Sequence, residues 1–126
     1  MDATTSGPAD LPADGLARAI ALHQAWRFDE AEAAYRSIIE SEPENADAQH
    51  NLGVLLAIQR LRPLDSLPYF EGAIGLAPGR PQFWFSYLDA LIRAGLPQAA
   101  RQAVDLARAN GLVESSINDL LRRIQE

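Results

Sequence analysis

The chain has 126 residues, enough for one domain or a short array of repeats and too few for two independent cores. Eleven basic residues, all arginine, stand against seventeen acidic ones, and the net charge of −6 argues against a nucleic-acid or anionic-membrane surface. With no lysine and no cysteine, a Schiff-base lysine, a phosphate-loop lysine, thiol nucleophiles, Cys-ligated zinc and disulfides are all excluded.

Residues Met1–Asp14 hold three Asp, two Pro and almost nothing to bury, and read as a disordered tail without the apolar stretch of a secretory signal. From Gly15 the apolar residues recur at spacings of three and four: Leu16, Ala19, Ile20 and Leu22, then Ala31, Ala34, Tyr35, Ile38 and Ile39. A break at Glu42–Asn45 follows. A second helix pair is predicted over Ala46–Gln59 and Ser66–Leu76, ending at Pro78–Gly79. A third covers Pro81–Arg93 and Pro97–Asn110, ending at Gly111, with Pro81 and Pro97 at first-turn positions where a missing N–H costs nothing. In the last segment, 115–126, Ile117, Leu120, Leu121 and Ile124 form one apolar stripe opposite Asn118, Asp119, Arg122 and Arg123, and Ser115 or Ser116 is the predicted cap. No run of about 18 apolar residues is present, and no strand is predicted. The expectation is a soluble, cytoplasmic, all-α protein.

Laying Pro43 under Pro78 brings the segments before them into register, AEAAYRSIIESEP over SLPYFEGAIGLAP, and AARQAVDLARANGL continues the pattern. The units begin near Pro12, Ala46 and Pro81 and span 34, 35 and 34 residues. Small residues recur in each unit, with Ala31, Gly53, Ala73 and Ala107 placed where paired helices would cross closely. The extra residue of the second unit falls in Arg60–Leu64. Pro68 then delays the following helix, whose N-cap is predicted at Asp65.

A period of about 34 residues with two helices per unit resembles the tetratricopeptide repeat (TPR) family over about residues 12–114. The second unit carries it in Leu52, Gly53 and Leu56, then Ser66, Phe70, Ala73 and Pro78. The third has Trp84, Tyr87, Leu88, Leu91, Gly95, Ala100, Val104 and Ala107. The first has Ala19, Leu22, Ala31, Tyr35, Ile38 and Pro43. The resemblance implies three helix-turn-helix repeats (12–45, 46–80, 81–114) in a right-handed superhelical arc, closed by a C-terminal capping helix. It also implies a concave groove lined by the first helix of each repeat. By register that groove holds Leu16, Ala17, Ile20, His23 and Gln24, then Asp47, His50, Asn51, Val54 and Ile58, then Gln82, Phe85, Ser86, Asp89 and Arg93. Phe85, Val54, Ile20 and Leu16 would anchor a partner, and Asn51, His50, Asp89 and Arg93 would supply polar discrimination.

Two specificities of the family can be set against that groove. Chaperone-binding members clamp a C-terminal carboxylate with basic residues and two Asn; here only Asn51 fits, and Leu16, Ile20, Gln82 and Ser86 replace the rest. The Asn ladder of O-GlcNAc-transferase-type arrays keeps one rung, Asn51, between Ala17 and Ser86. The stretch from Pro81 to Arg123 is also similar to N-terminal repeat segments of large bacterial glycosyltransferase- or sulfotransferase-type proteins, which would make the chain a recognition or oligomerisation arm.

One departure concerns the turn between the two helices of a repeat, where Gly95 sits in the third unit and Trp26 in the first. A left-handed conformation is costly for Trp, so either the turn differs or the ring is held. Trp26 then either folds over the end of its own repeat or stands out as an aromatic anchor. Nothing in the sequence carries catalysis. His23 and His50 have no His, Asp or Glu at the i+4 spacing of helical metal sites, and Asp47 reads as a surface hydrogen-bond partner of His50. No nucleophile-elbow, dinucleotide or zincin motif occurs. The expected function is non-enzymatic, without cofactor or metal: docking of a peptide or partner helix in the groove, with a homodimer as the competing use of the same apolar residues.

Overall fold

The computed structural model describes residues 14–124, all of its regular structure helical. The predicted disordered tail lies outside that range except for Asp14, whose carboxylate caps α1 (Gly15–Gln24) by accepting the Ala17 N–H at 2.9 Å. There follow α2 (Phe28–Ser41), α3 (Ala46–Val54) continued by a π-helical turn (Leu55–Gln59), α4 (Pro63–Leu76), α5 (Pro81–Arg93), α6 (Pro97–Ala109) and α7 (Glu114–Ile124). Asn45 caps α3 through the Ala48 N–H at 3.0 Å, and Pro63, Pro81 and Pro97 open their helices. Helices α1 and α2, α3 and α4, and α5 and α6 pack as antiparallel pairs, and each pair packs on the next. The result is the three-repeat superhelical arc expected from the 34-residue period.

Packing follows the spacing of small residues. Ala31, Ser66 and Ala100 occupy equivalent places on the second helices and are buried, as are Tyr35, Phe70 and Val104 one turn later. Gly53 is dictated by contact rather than by conformation: a Cβ there would lie 2.7 Å from the Phe70 ring. The Ser66 hydroxyl, buried at a crossing, donates to the Pro63 carbonyl at 2.6 Å, so the polar group is satisfied within its own helix. Phe70, with Ala57 and Ala90, forms a core cluster of its own that shares the flanking Leu67 and Tyr87 with the core of the last repeat. At the far end Ile117 and Leu120 of α7 are buried against Leu88, Val104 and Leu112.

Four local expectations are corrected. The extra residue of the second repeat is not looped out in Arg60–Leu64; it is taken up inside the helix, where the Arg60 N–H reaches the Leu55 carbonyl at 3.0 Å and widens the last turn to a π-turn. The next helix is neither delayed nor capped by Asp65: Pro63 starts it, and Asp65 lies in its first turn, 2.7 Å from Arg62. Pro68 sits inside the helix and removes only the bond to the carbonyl of exposed Leu64, an oxygen that water can serve instead. Ser115 and Ser116 are not caps but first-turn residues, because α7 already begins at Glu114, with the Ile117 N–H donating to Val113.

The turn of the first repeat does not differ from that of the third. Trp26 has φ +63° and Gly95 φ +76°. The N–H groups of Trp26 and Arg27 reach back to His23 and Leu22 as those of Gly95 and Leu96 reach Ile92 and Leu91, at 2.9–3.1 Å. The second repeat makes the same closure with Leu61 at φ +55°, its register shifted by the π-turn so that the Arg62 N–H meets the Leu56 carbonyl at 2.8 Å. The Trp26 indole rests on Phe28, ring centroids 5.7 Å apart, and is still 80% exposed.

Candidate functional site

Side chains of the first helices of the repeats line two hollows along the face expected as the groove, and Gln82 and Phe85 also border a third, of about 290 Å³, with Pro81, Gly111 and Val113. The smaller of the two, about 240 Å³, is bordered by Ile20, His23 and Gln24 of α1 with Tyr35 and Asn51. The larger, about 490 Å³, gathers His50, Val54, Ile58, Gln82, Phe85, Asp89 and Arg93. Of the groove residues expected from the sequence, Leu16, Ala17 and Asp47 border neither, and Leu16 packs against the core of the first repeat. Trp26 also stands apart from both, on the turn edge. Phe85 is the exposed aromatic of the larger hollow, 38% accessible, with Val54 and Ile58 half-buried beside it.

The floor is set by His50, which is buried and does not bond Asp47, as the i,i+3 spacing had suggested. Asp47 instead pairs with Arg80 at 2.9 Å, and that guanidinium lies 4.3 Å over the Phe83 ring. The imidazole of His50 packs on Phe83 with centroids 4.7 Å apart, its Nε2 lies 2.7 Å from Ser86 Oγ and its Nδ1 3.3 Å from Asn51 Oδ1. With the Asn51 oxygen accepting, Nδ1 carries the proton and Nε2 accepts from the Ser86 hydroxyl. Burial pushes the His50 pKa below its usual value, partly opposed by the Asn51 hydrogen bond, so the ring is neutral near pH 7. In form this is a base beside a hydroxyl. Yet Ser86 lies in the body of α5, where the amide groups around it are committed to helix bonds and none is left to stabilise an oxyanion. Its evident work is to tie α3 to α5 under the groove.

A parallel tie closes the first hollow. His23 Nδ1 lies 3.1 Å from the Tyr35 hydroxyl and Nε2 2.9 Å from Gln59 Oε1, and burial raises the Tyr35 pKa to about 12, keeping the phenol protonated. At the other end, Asp89 receives Arg93 Nε at 2.8 Å and Arg123 Nη1 at 2.6 Å. Ser86, Ala57, Phe70 and Arg123 complete the larger hollow, and the sequence had not placed Ala57, Phe70 or Arg123 there. The signal was available: Arg123 follows Asp89 by 34 residues, one repeat length.

Arg60 and Arg62, the densest basic spot of the repeats, are neutralised locally, Arg60 by Asp29 and Glu32 and Arg62 by Asp65. Among the described residues no group of three His, Asp or Glu gathers to hold a metal ion, and no helix is long and apolar enough to cross a membrane.

Helix pairs in register, small residues at their crossings and hollows lined by the first helices define a helical repeat scaffold. A tetratricopeptide repeat family model matches residues 16–61 and again 55–113, and the chain belongs to the tetratricopeptide repeat family. No curated protein matches it.

Proposed function

We propose that the chain is a protein-interaction module that takes a peptide or partner helix into the hollow between α3, α5 and α7. The observation that supports this most is Phe85: an aromatic ring 38% exposed on the wall of a cavity of about 490 Å³ whose other walls are Val54, Ala57, Ile58, Phe70 and a small set of polar groups. A few convergent polar groups over an apolar floor are what a recognition site uses for orientation and affinity respectively. The reading is of binding without chemistry, since the His50–Ser86 pair serves the scaffold.

The test is capture of partners by the wild-type chain and by a Phe85→Ala/Asn51→Ala double variant. Loss of a partner in the variant is the expected result. Identical recovery by both would show that the groove is not the docking surface.

A second use is favoured by the turn edge of the first two repeats. Trp26 and Leu61 are 80% and 77% exposed in equivalent turns of consecutive repeats, an apolar edge that self-association would cover. Light scattering after size exclusion should then show a dimer that Trp26→Ser/Leu61→Ser converts to monomer; a wild-type monomer at all concentrations would exclude it.

A further inference from the structure

We infer that Arg93 and Arg123 form a receptor for an acidic side chain, an Asp or Glu inside the partner peptide, at the α5–α7 end of the groove. The inference rests on the reading of that groove as a peptide site. Asp89 lies between the two arginines with only 14% of its side chain exposed, whereas Arg93 and Arg123 keep 42% and 40% of theirs. Each arginine meets Asp89 through one nitrogen, and a guanidinium carries five N–H donors, so both retain an outward edge. These three are the charged residues among the groups lining the hollow, and together they carry +1 within a chain of net charge −6.

The surplus positive charge is what distinguishes this pair: Glu32 also serves two arginines, Arg36 and Arg60, but Asp29 bonds Arg60 as well and leaves that cluster neutral. Arg60 is bonded to two carboxylates, and Arg62, Arg80 and Arg122 are each bonded to one. Here a single, largely buried Asp89 holds two guanidiniums side by side. It fixes their orientation without cancelling their charge. Planar forks held in that way fit an incoming carboxylate better than free side chains do, because less rotamer freedom is lost on binding.

The surroundings favour a side chain over a chain terminus. Arg93 also borders a second hollow of about 360 Å³ formed with Leu61, Pro63 and Leu64. Apolar footing therefore lies on both sides of it, Phe85 and Val54 in one direction and Leu61 and Leu64 in the other. A peptide crossing Arg93 continues both ways, with its acidic residue in the middle and apolar residues flanking it. The C-terminal helix is then part of the binding site as well as the end of the stack.

Selection of random dodecapeptides displayed on phage against the full chain tests this, with Arg93→Gln, Arg123→Gln and Phe85→Ala as parallel targets. Each arginine variant leaves Asp89 its other partner, and thermal melts verify that all remain folded. Wild type should enrich peptides carrying Asp or Glu between apolar residues. Their affinity should fall about fivefold, the scale of one exposed charge pair, on Arg123→Gln or on Asp→Asn and Glu→Gln exchange in the peptide, and it should weaken with salt. Peptides that need Phe85 but ignore both arginines and the acidic exchange would overturn this inference and leave the groove reading standing. No enrichment, or enrichment indifferent to Phe85, would overturn the groove reading and this one with it. Dependence on a free C-terminal carboxylate would overturn the side-chain assignment, and enrichment of sequences matching residues 1–13 would make the occupant this chain itself.

Discussion

The crossing of α3 and α4 and the turn that joins them lie within one repeat and obey opposite rules. At the crossing, Gly53 faces Phe70 so closely that one added carbon would sit 2.7 Å from the ring. At the turn, Leu61 holds a left-handed conformation that glycine would adopt without cost, and its side chain is 77% exposed. Volume decides the first position and backbone geometry strains the second. A repeat therefore carries its strictest requirement in the interior and its tolerance at the rim. The same contrast separates Ala31 from Trp26 in the first repeat.

Substitutions can break or sharpen that contrast, and the largest effects belong to the crossing. Phe70→Ala should cost about 3–5 kcal/mol, the usual range for emptying a buried aromatic site, and chemical denaturation should show the midpoint moving with it. Gly53→Leu should cost about 3 kcal/mol by overpacking against the same ring; a stability equal to wild type would show that the helices part without penalty. Next comes the pH dependence of the tie beneath the groove. Burial lowers the His50 pKa in the folded state, so below about pH 6.5, the ordinary value, the unfolded chain takes up a proton that the folded chain refuses. Stability should fall from there until the folded pKa is passed, and melting temperatures between pH 7.5 and 5 should show a slope that His50→Gln removes. The smallest effects belong to the turns. Leu61→Gly and Trp26→Gly should each raise stability by about 0.5–1 kcal/mol through relief of the left-handed strain, read as a small rise in melting temperature. A loss of stability on Trp26→Gly would mean that the contact of the indole with Phe28 outweighs the strain.

Much of the fold was legible because it is periodic. A 34-residue spacing and small residues at equivalent places carry the helix pairs, and register alone puts Val54, Phe85 and Asp89 on one face. What escaped was of two kinds. The π-turn at Leu55–Gln59, the start of α4 at Pro63 and the left-handed Trp26 depend on how the backbone distributes one extra residue or tolerates strain, which residue types do not encode. His50 and Asp89 each have, besides a partner in their own helix, a second about one repeat away, at Ser86 and Arg123, which spacing within a helix does not reveal. That spacing pointed to Asp47 for His50 and left Arg123 on the solvent side of its helix. For a repeat protein the useful neighbourhood is one period away.

The widened turn at the end of α3 has a consequence for how such a chain tolerates changes in length. A residue added in the middle of a stack would displace everything after it if the helices transmitted the offset. Here the change is confined between Leu55 and Arg62, and the Pro63 and Pro97 starts of the following helices fall again at the regular interval of 34. The damage of a codon insertion is thus contained within two turns of one helix. Removing one residue from Ile58–Arg60 should accordingly yield a folded array of uniform period, whereas the same deletion in α4 would have no such slack to absorb it.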